Sequence, residues 1–223
     1  MKLPDLWPPL SHIQRELECS GESLNQQLAS EHLSASVYRP TAQVTVGLVD
    51  LLLPIEEIKR RRIAVQEACF PKVWAAGTLV DIELQGKWHG VLLDRPIADN
   101  SWCAWLTAPE CDWAGPFDVL LEPGDEPFDP ACGIVQTWNT LEVTQKPHNA
   151  VLGVLGQTRL GAIRAIHQQH KEGFIPDIPP EPGKIGLRAS GSGDHVLTGT
   201  PLLADDSRLS YQRLYRRVVL AAT

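Results

Sequence analysis

The sequence has no unbroken apolar run long enough to cross a bilayer. Its longest, Val44 to Ile55, is interrupted by Asp50 and Pro54. Pro4, Pro8 and Pro9 break the first ten residues, so no leader-like apolar segment is expected there. These absences predict a cytoplasmic protein that does not engage a membrane. Cysteine pairing is lacking too: Cys19, Cys69, Cys103, Cys111 and Cys132 are odd in number and none shows CxxC spacing. Neither a disulfide framework nor a zinc ribbon follows, and buried, inert thiols are expected. His167 and His170 have no acidic or cysteine partner at ligand spacing and read as surface histidines, so no metal site is expected. The glycine-serine stretch Ser190 to Asp194 lacks the lysine of a phosphate-binding loop and reads as a flexible turn, and no cofactor motif is found. Positive charge is also short. With a formal net charge of −7, the chain carries no overall basic footprint for nucleic acid.

What is present is the patterning of a folded α+β chain. Ile13, Leu17, Leu24 and Leu28 recur near helical spacing after Ser11, and Tyr38 to Thr45 reads as extended. Pro54, followed by Glu56 and Glu57, opens a helix that runs to about Ala68. The rhythm then changes. Gly77–Leu84, Trp88–Leu93, Trp102–Leu106, Pro116–Leu121 and Ile134–Val143 read as five short strands, with Gln85-Gly86 as a hairpin turn and a loop beginning at Arg95-Pro96. Val154–Lys171 returns to helical spacing. Pro176, Pro179, Pro180 and Pro182 make a stiff linker, and Asp206 or Ser207 caps a final helix. The expected architecture is a central small SH3-like antiparallel β-barrel with N-terminal and C-terminal helices. It divides as a helical segment (1–72), an acidic tryptophan-rich barrel (73–147) and a C-terminal helix, linker and terminal helix (148–223).

The order Gly77-Thr-Leu-Val-Asp-Ile-Glu-Leu84, Gly86-Lys-Trp-His-Gly-Val-Leu-Leu93, Leu106-Thr107, Gly115-Pro-Phe-Asp-Val-Leu-Leu121 and Val135-Gln-Thr-Trp138 resembles the PemK/MazF-type toxin barrels, over about residues 77–143. The resemblance implies metal-independent cleavage of single-stranded RNA, with an arginine before the second strand and a strand-end threonine acting on the 2′-hydroxyl and phosphate. Thr107 matches the threonine. His89 stands at the arginine position, where imidazole can do acid–base work but lacks the planar fork of a guanidinium.

Charge and aromatic content favour another reading. Residues 73–147 hold three Lys/Arg against twelve Asp/Glu, the reverse of an RNA groove, and six of the seven tryptophans. A non-catalytic interaction module follows, in which Trp102, Trp105, Trp113, Glu110 and Asp112 engage a protein partner, the acidic neighbours suiting a basic one. Trp102 and Trp105, three apart on a strand, face opposite sides. Lys59, Arg60, Arg61 and Arg62 form a basic run that would hold RNA if the chain is an endoribonuclease or a nucleic-acid adaptor. Asp125, Glu126 and Asp129 read as a solvated acidic turn, and oligomerisation is left open.

Overall fold

The computed structural model describes residues 55–221, so the predicted helix at 11–30 and the extended stretch at 38–45 lie outside the described residues. The chain is α+β. Helix α1 (Ile55–Glu67) precedes strands β1 (Thr78–Leu84), β2 (Lys87–Ala98), β3 (Ser101–Ala108), β4 (Asp118–Leu120), β5 (Ile134–Thr144) and β6 (Val151–Val154). Helix α2 (Gln157–Lys171), strands β7 (Ile185–Ala189) and β8 (His195–Gly199) and helix α3 (Arg208–Leu220) follow. Among the described residues no helix is long and apolar enough to cross a membrane.

All eight strands join one antiparallel sheet, ordered β6-β1-β2-β3-β5-β4-β8-β7. This corrects the expected five-strand barrel. The sheet is open, and three of its strands come from beyond Pro147. β6 takes Val154, where the sequence predicts the start of a helix: Val154 pairs with Thr78. The linker does not project either. Ile178 covers Gly186, and Thr200 Oγ1 both accepts from the Glu181 amide (2.9 Å) and donates to the Glu181 carbonyl (2.6 Å).

Local chemistry explains most boundaries. Gln85 and Gly86 both hold positive φ, the twist a two-residue hairpin needs. β2 runs through Pro96, where the sequence predicts a loop. Its pairing with β1 ends at Leu92, so Pro96 sits where one side of the strand has no neighbour demanding an N–H. Gly173, at φ 69°, ends α2 and lets Phe174 return its amide to Gln169.

Both faces of the sheet are covered. Leu160, Ala162, Ile163 and Ile166 of α2 pack on Leu79, Leu92, Trp105, Val119 and Val135. On the opposite face Val219 of α3 joins Val80, Ile82, Val91, Leu93, Ala104, Leu106, Leu141 and Val143. The strict alternation of Val91, Leu92 and Leu93 between these clusters is the period-two pattern of a strand buried on both sides.

Candidate functional site at the bulge of strand five

Thr107 and His89 lie on opposite faces of the sheet. A side chain on Gly90 would collide with Thr107 Oγ1 and Cys132 Sγ, so Thr107 faces the same side as Gly90. His89 is the neighbour of Gly90 on β2 and points the other way. Thr107 is also buried, whereas His89 is half-buried. Burial and the nearby Lys87 charge hold the His89 imidazole down to about 4, so it is neutral near pH 7. The pair expected to act on one phosphate therefore does not converge on any site.

The expected partner-binding residues are engaged within the chain. Trp105 is fully buried and meets His167 edge-on, with ring centroids 5.5 Å apart. Trp102 is half-buried and packs on the opposite cluster, so the predicted divergence of these two tryptophans is observed. Trp113 stacks on Tyr211 at 5.4 Å. Glu110 accepts hydrogen bonds from Tyr211 Oη (3.0 Å) and Tyr215 Oη (2.6 Å), and desolvation raises its carboxyl. Burial also pushes half-buried Asp112 up to about 6. Trp113 and Glu110 thus meet α3, Trp102 shares a cluster with Val219 of α3, and Trp105 faces α2.

The basic run of α1 is likewise satisfied. Lys59 pairs with Glu56 at 2.9 Å. Arg60 grips Glu57 and both carboxylate oxygens of Glu126. Arg61 pairs with Glu57 (2.8 Å) and Glu126 (3.3 Å) and lies over the Phe128 ring, and Arg62 faces Asp129 at 3.8 Å. The acidic turn at 125–129 is therefore not simply solvated: it is the counter-charge of α1 and, through Asp125, of Arg159.

A different cluster stands out around β5. Between Trp105↔Thr140 and Thr107↔Val135 the β3–β5 register shifts, so residues 136–139 bulge opposite Leu106. Several polar side chains gather there. Trp138 Nε1 donates to Asp118 Oδ1 (2.7 Å), and Asn139 Nδ2 donates to Gln136 Oε1 (3.0 Å). Arg216 of α3 donates to Asn139 Oδ1 (3.1 Å), and His167 of α2 bonds the Thr137 carbonyl (2.7 Å). Asp118 is wholly buried, and desolvation pushes its carboxyl up to about 7 despite hydrogen bonds from Gly115 N and Trp138. Beside the bulge, the half-buried Phe117 ring meets His170 edge-on at 4.9 Å and carries the Arg188 guanidinium at 5.3 Å. Arg188 Nη2 donates to Gln169 Oε1 (3.0 Å). Desolvation, with the charges of His167 and Arg216, lowers the His170 imidazole.

This surface differs from α1 in the partners of its arginines. Arg216 and Arg188 are bonded to neutral amides, whereas Arg60 and Arg61 are bonded to carboxylates. An amide leaves an arginine's charge uncompensated, whereas a carboxylate neutralises it; Arg216 is partly exposed and Arg188 is buried. Arg213, Arg216 and Arg217 of the last helix are visible in the sequence as cations that could flank an RNA groove, and the spacing of His167 and His170 places both on one side of α2. Arg188, Phe117 and Gln169 are not singled out by the sequence, because charge counts do not show which cations are neutralised.

No family model matches the chain, and no curated protein matches it. A crystal structure of a MazE–MazF complex from Deinococcus radiodurans is similar in part. It is 19% identical with a TM-score of 0.38, over 47% of this chain and 99% of that one. A likeness of that strength establishes neither family nor activity, and the functional reading rests on the side chains.

Proposed function

We propose that the chain binds single-stranded RNA, without cleaving it, at the surface formed by the β5 bulge, the C-terminal half of α2, β7 and α3. The observation that carries this reading is the amide partnership of Arg188, which lies over the half-buried Phe117 ring, and of Arg216, whose charge reaches the His170 beside that ring. Exposed His170 and Lys171 border the same region. Cations that track phosphates beside an aromatic ring able to stack on a base are the two elements of sequence-tolerant single-strand binding. Binding is favoured over cleavage because Thr107 is buried and His89 lies across the sheet. A protein partner is a weaker reading, since Trp105, Trp113 and Glu110 are committed to intramolecular contacts.

Fluorescence anisotropy with a labelled single-stranded RNA tests the proposal. Binding is expected at low salt, weakening as salt rises, and Arg216→Gln is expected to reduce it while Lys59→Gln does not. No binding at low salt, or equal loss in both variants, would overturn it.

A further inference from the structure

Three arginines are buried among the described residues: Arg61, Arg188 and Arg208. Two are neutralised. Arg61 has Glu57 and Glu126, and Arg208 has both oxygens of Asp206 together with the carbonyls of Ala114, Thr200 and Pro201. Arg188, only 8% exposed, has no carboxylate. Its single hydrogen bond goes to the Gln169 amide, and its Nε and Nη1 are buried without a partner. A guanidinium sealed from water with donors unused is unfavourable unless an anion completes it.

Its placement narrows the anion. Arg188 lies on β7, an outer strand of the sheet, and its side chain turns inward while Leu187 beside it is exposed. The guanidinium lies over Phe117, with His170 against the same ring. Gln169, which holds Nη2, also donates to the Ser190 carbonyl, at the base of the turn carrying Gly191 and Gly193 at positive φ. One amide thus links the guanidinium to the Ser190–Asp194 turn. Moving that amide would free Nη2 beside the unused Nη1, a pair of donors matched to two oxygens of one phosphate.

We propose that Arg188 is a phosphate-recognition site, opened when Gln169 and the Ser190–Asp194 turn shift from its edge. The inference rests on the RNA-binding reading for its macromolecular ligand, a phosphodiester, but the same chemistry would accept inorganic phosphate. The simplest alternative is that an inward-pointing charge merely protects an edge strand from pairing with other chains.

The test compares wild type with Arg188→Met and Arg188→Lys. Two readouts are used: anisotropy with labelled single-stranded RNA, and thermal unfolding in phosphate against chloride at matched ionic strength. If the site is real, Arg188→Met loses about tenfold or more in RNA affinity and its salt slope falls by about one, the signature of one lost phosphate contact. Arg188→Lys is expected to recover part of the affinity, because it keeps the charge without the fork. Wild type that binds RNA with an affinity unchanged in Arg188→Met overturns the inference and leaves the RNA reading intact. Wild type that binds no RNA, yet is stabilised by phosphate only when Arg188 is present, overturns the RNA reading and supports the site. Phosphate also stabilises folded proteins without binding, so the shift counts for the site only by the part that an Arg188 variant loses; if Arg188→Met folds poorly, Arg188→Lys, which keeps the charge, carries that comparison. Neither RNA binding nor a phosphate effect in wild type overturns both.

Discussion

Arg60 and Glu126 stand 66 residues apart in the chain, yet two guanidinium nitrogens of Arg60 bond the Glu126 carboxylate at 2.9 and 3.0 Å. The adjacent Arg61 uses the same carboxylate from a buried position. Helix α1 is thereby clamped to the acidic loop after β4, and its charge is spent inside the molecule.

Removing Arg61 is expected to be costly. Arg61→Ala leaves Glu57 and Glu126 with one cation fewer, uncovers Phe128, and should lower stability by about 3 kcal/mol in chemical denaturation. Lys59→Ala removes a pair in which Glu56 is largely exposed and should not measurably change stability. Equal effects from the two substitutions would show that α1 is not held by the buried clamp.

Asp118 should make stability fall as pH rises. Its carboxyl is raised from an ordinary value near 3.8 to about 7, so the folded state binds more protons than the unfolded state between those values. The favourable contribution is complete below the unfolded pKa and is lost as pH climbs through about 7. Asp112, raised to about 6, acts in the same direction. Thermal unfolding across this range should show a negative slope that Asp118→Asn reduces, and an unchanged slope in that variant would remove Asp118 as its source.

Tyr215 Oη is one of two donors satisfying Glu110. Tyr215→Phe is expected to destabilise the protein by about 1–3 kcal/mol, because it leaves a desolvated carboxyl short of a partner. Tyr215→Phe together with Glu110→Leu removes both polar groups and should restore part of the loss. No recovery in that double variant would place the effect outside this hydrogen bond.

Thr107 and Gly90 separate packing from chemistry. Gly90→Ala drives a methyl group into Thr107 and Cys132 and should cost about 1–3 kcal/mol. Thr107→Val keeps the shape of a residue that is 2% exposed and should leave RNA affinity as in wild type. A large loss of RNA binding in Thr107→Val, measured by anisotropy with the fold intact, would return this residue to the functional surface.

Much of the local structure is legible in the sequence. The acidic start of α1, the Gln85-Gly86 turn and the Gly173 stop follow from short-range sterics and hydrogen bonding, whereas the polar Asp81 of the alternating β1 sequence is buried with its apolar neighbours. Pro96 misleads because proline excludes a residue from a strand only where a neighbour needs its N–H, and the end of the β1 pairing is not visible from β2 alone. Val154 misleads because an apolar residue at an element boundary suits the end of a strand or the start of a helix equally until a partner strand selects one.

Charge shows the sharpest division. Composition alone places an acidic segment at 73–147 between segments of nearly balanced charge, and six tryptophans within it. Residue identity and periodicity therefore determine most of the elements, the α+β class and the number of cations present. Which cations remain uncompensated is decided by tertiary structure. Arg60 and Arg61 meet Glu126 only when the loop after β4 folds against α1, and Arg188 meets Phe117 and Gln169 only when β7 joins the sheet beneath α2. Ion pairing depends on distance in space, and the chain's linear order does not contain those distances.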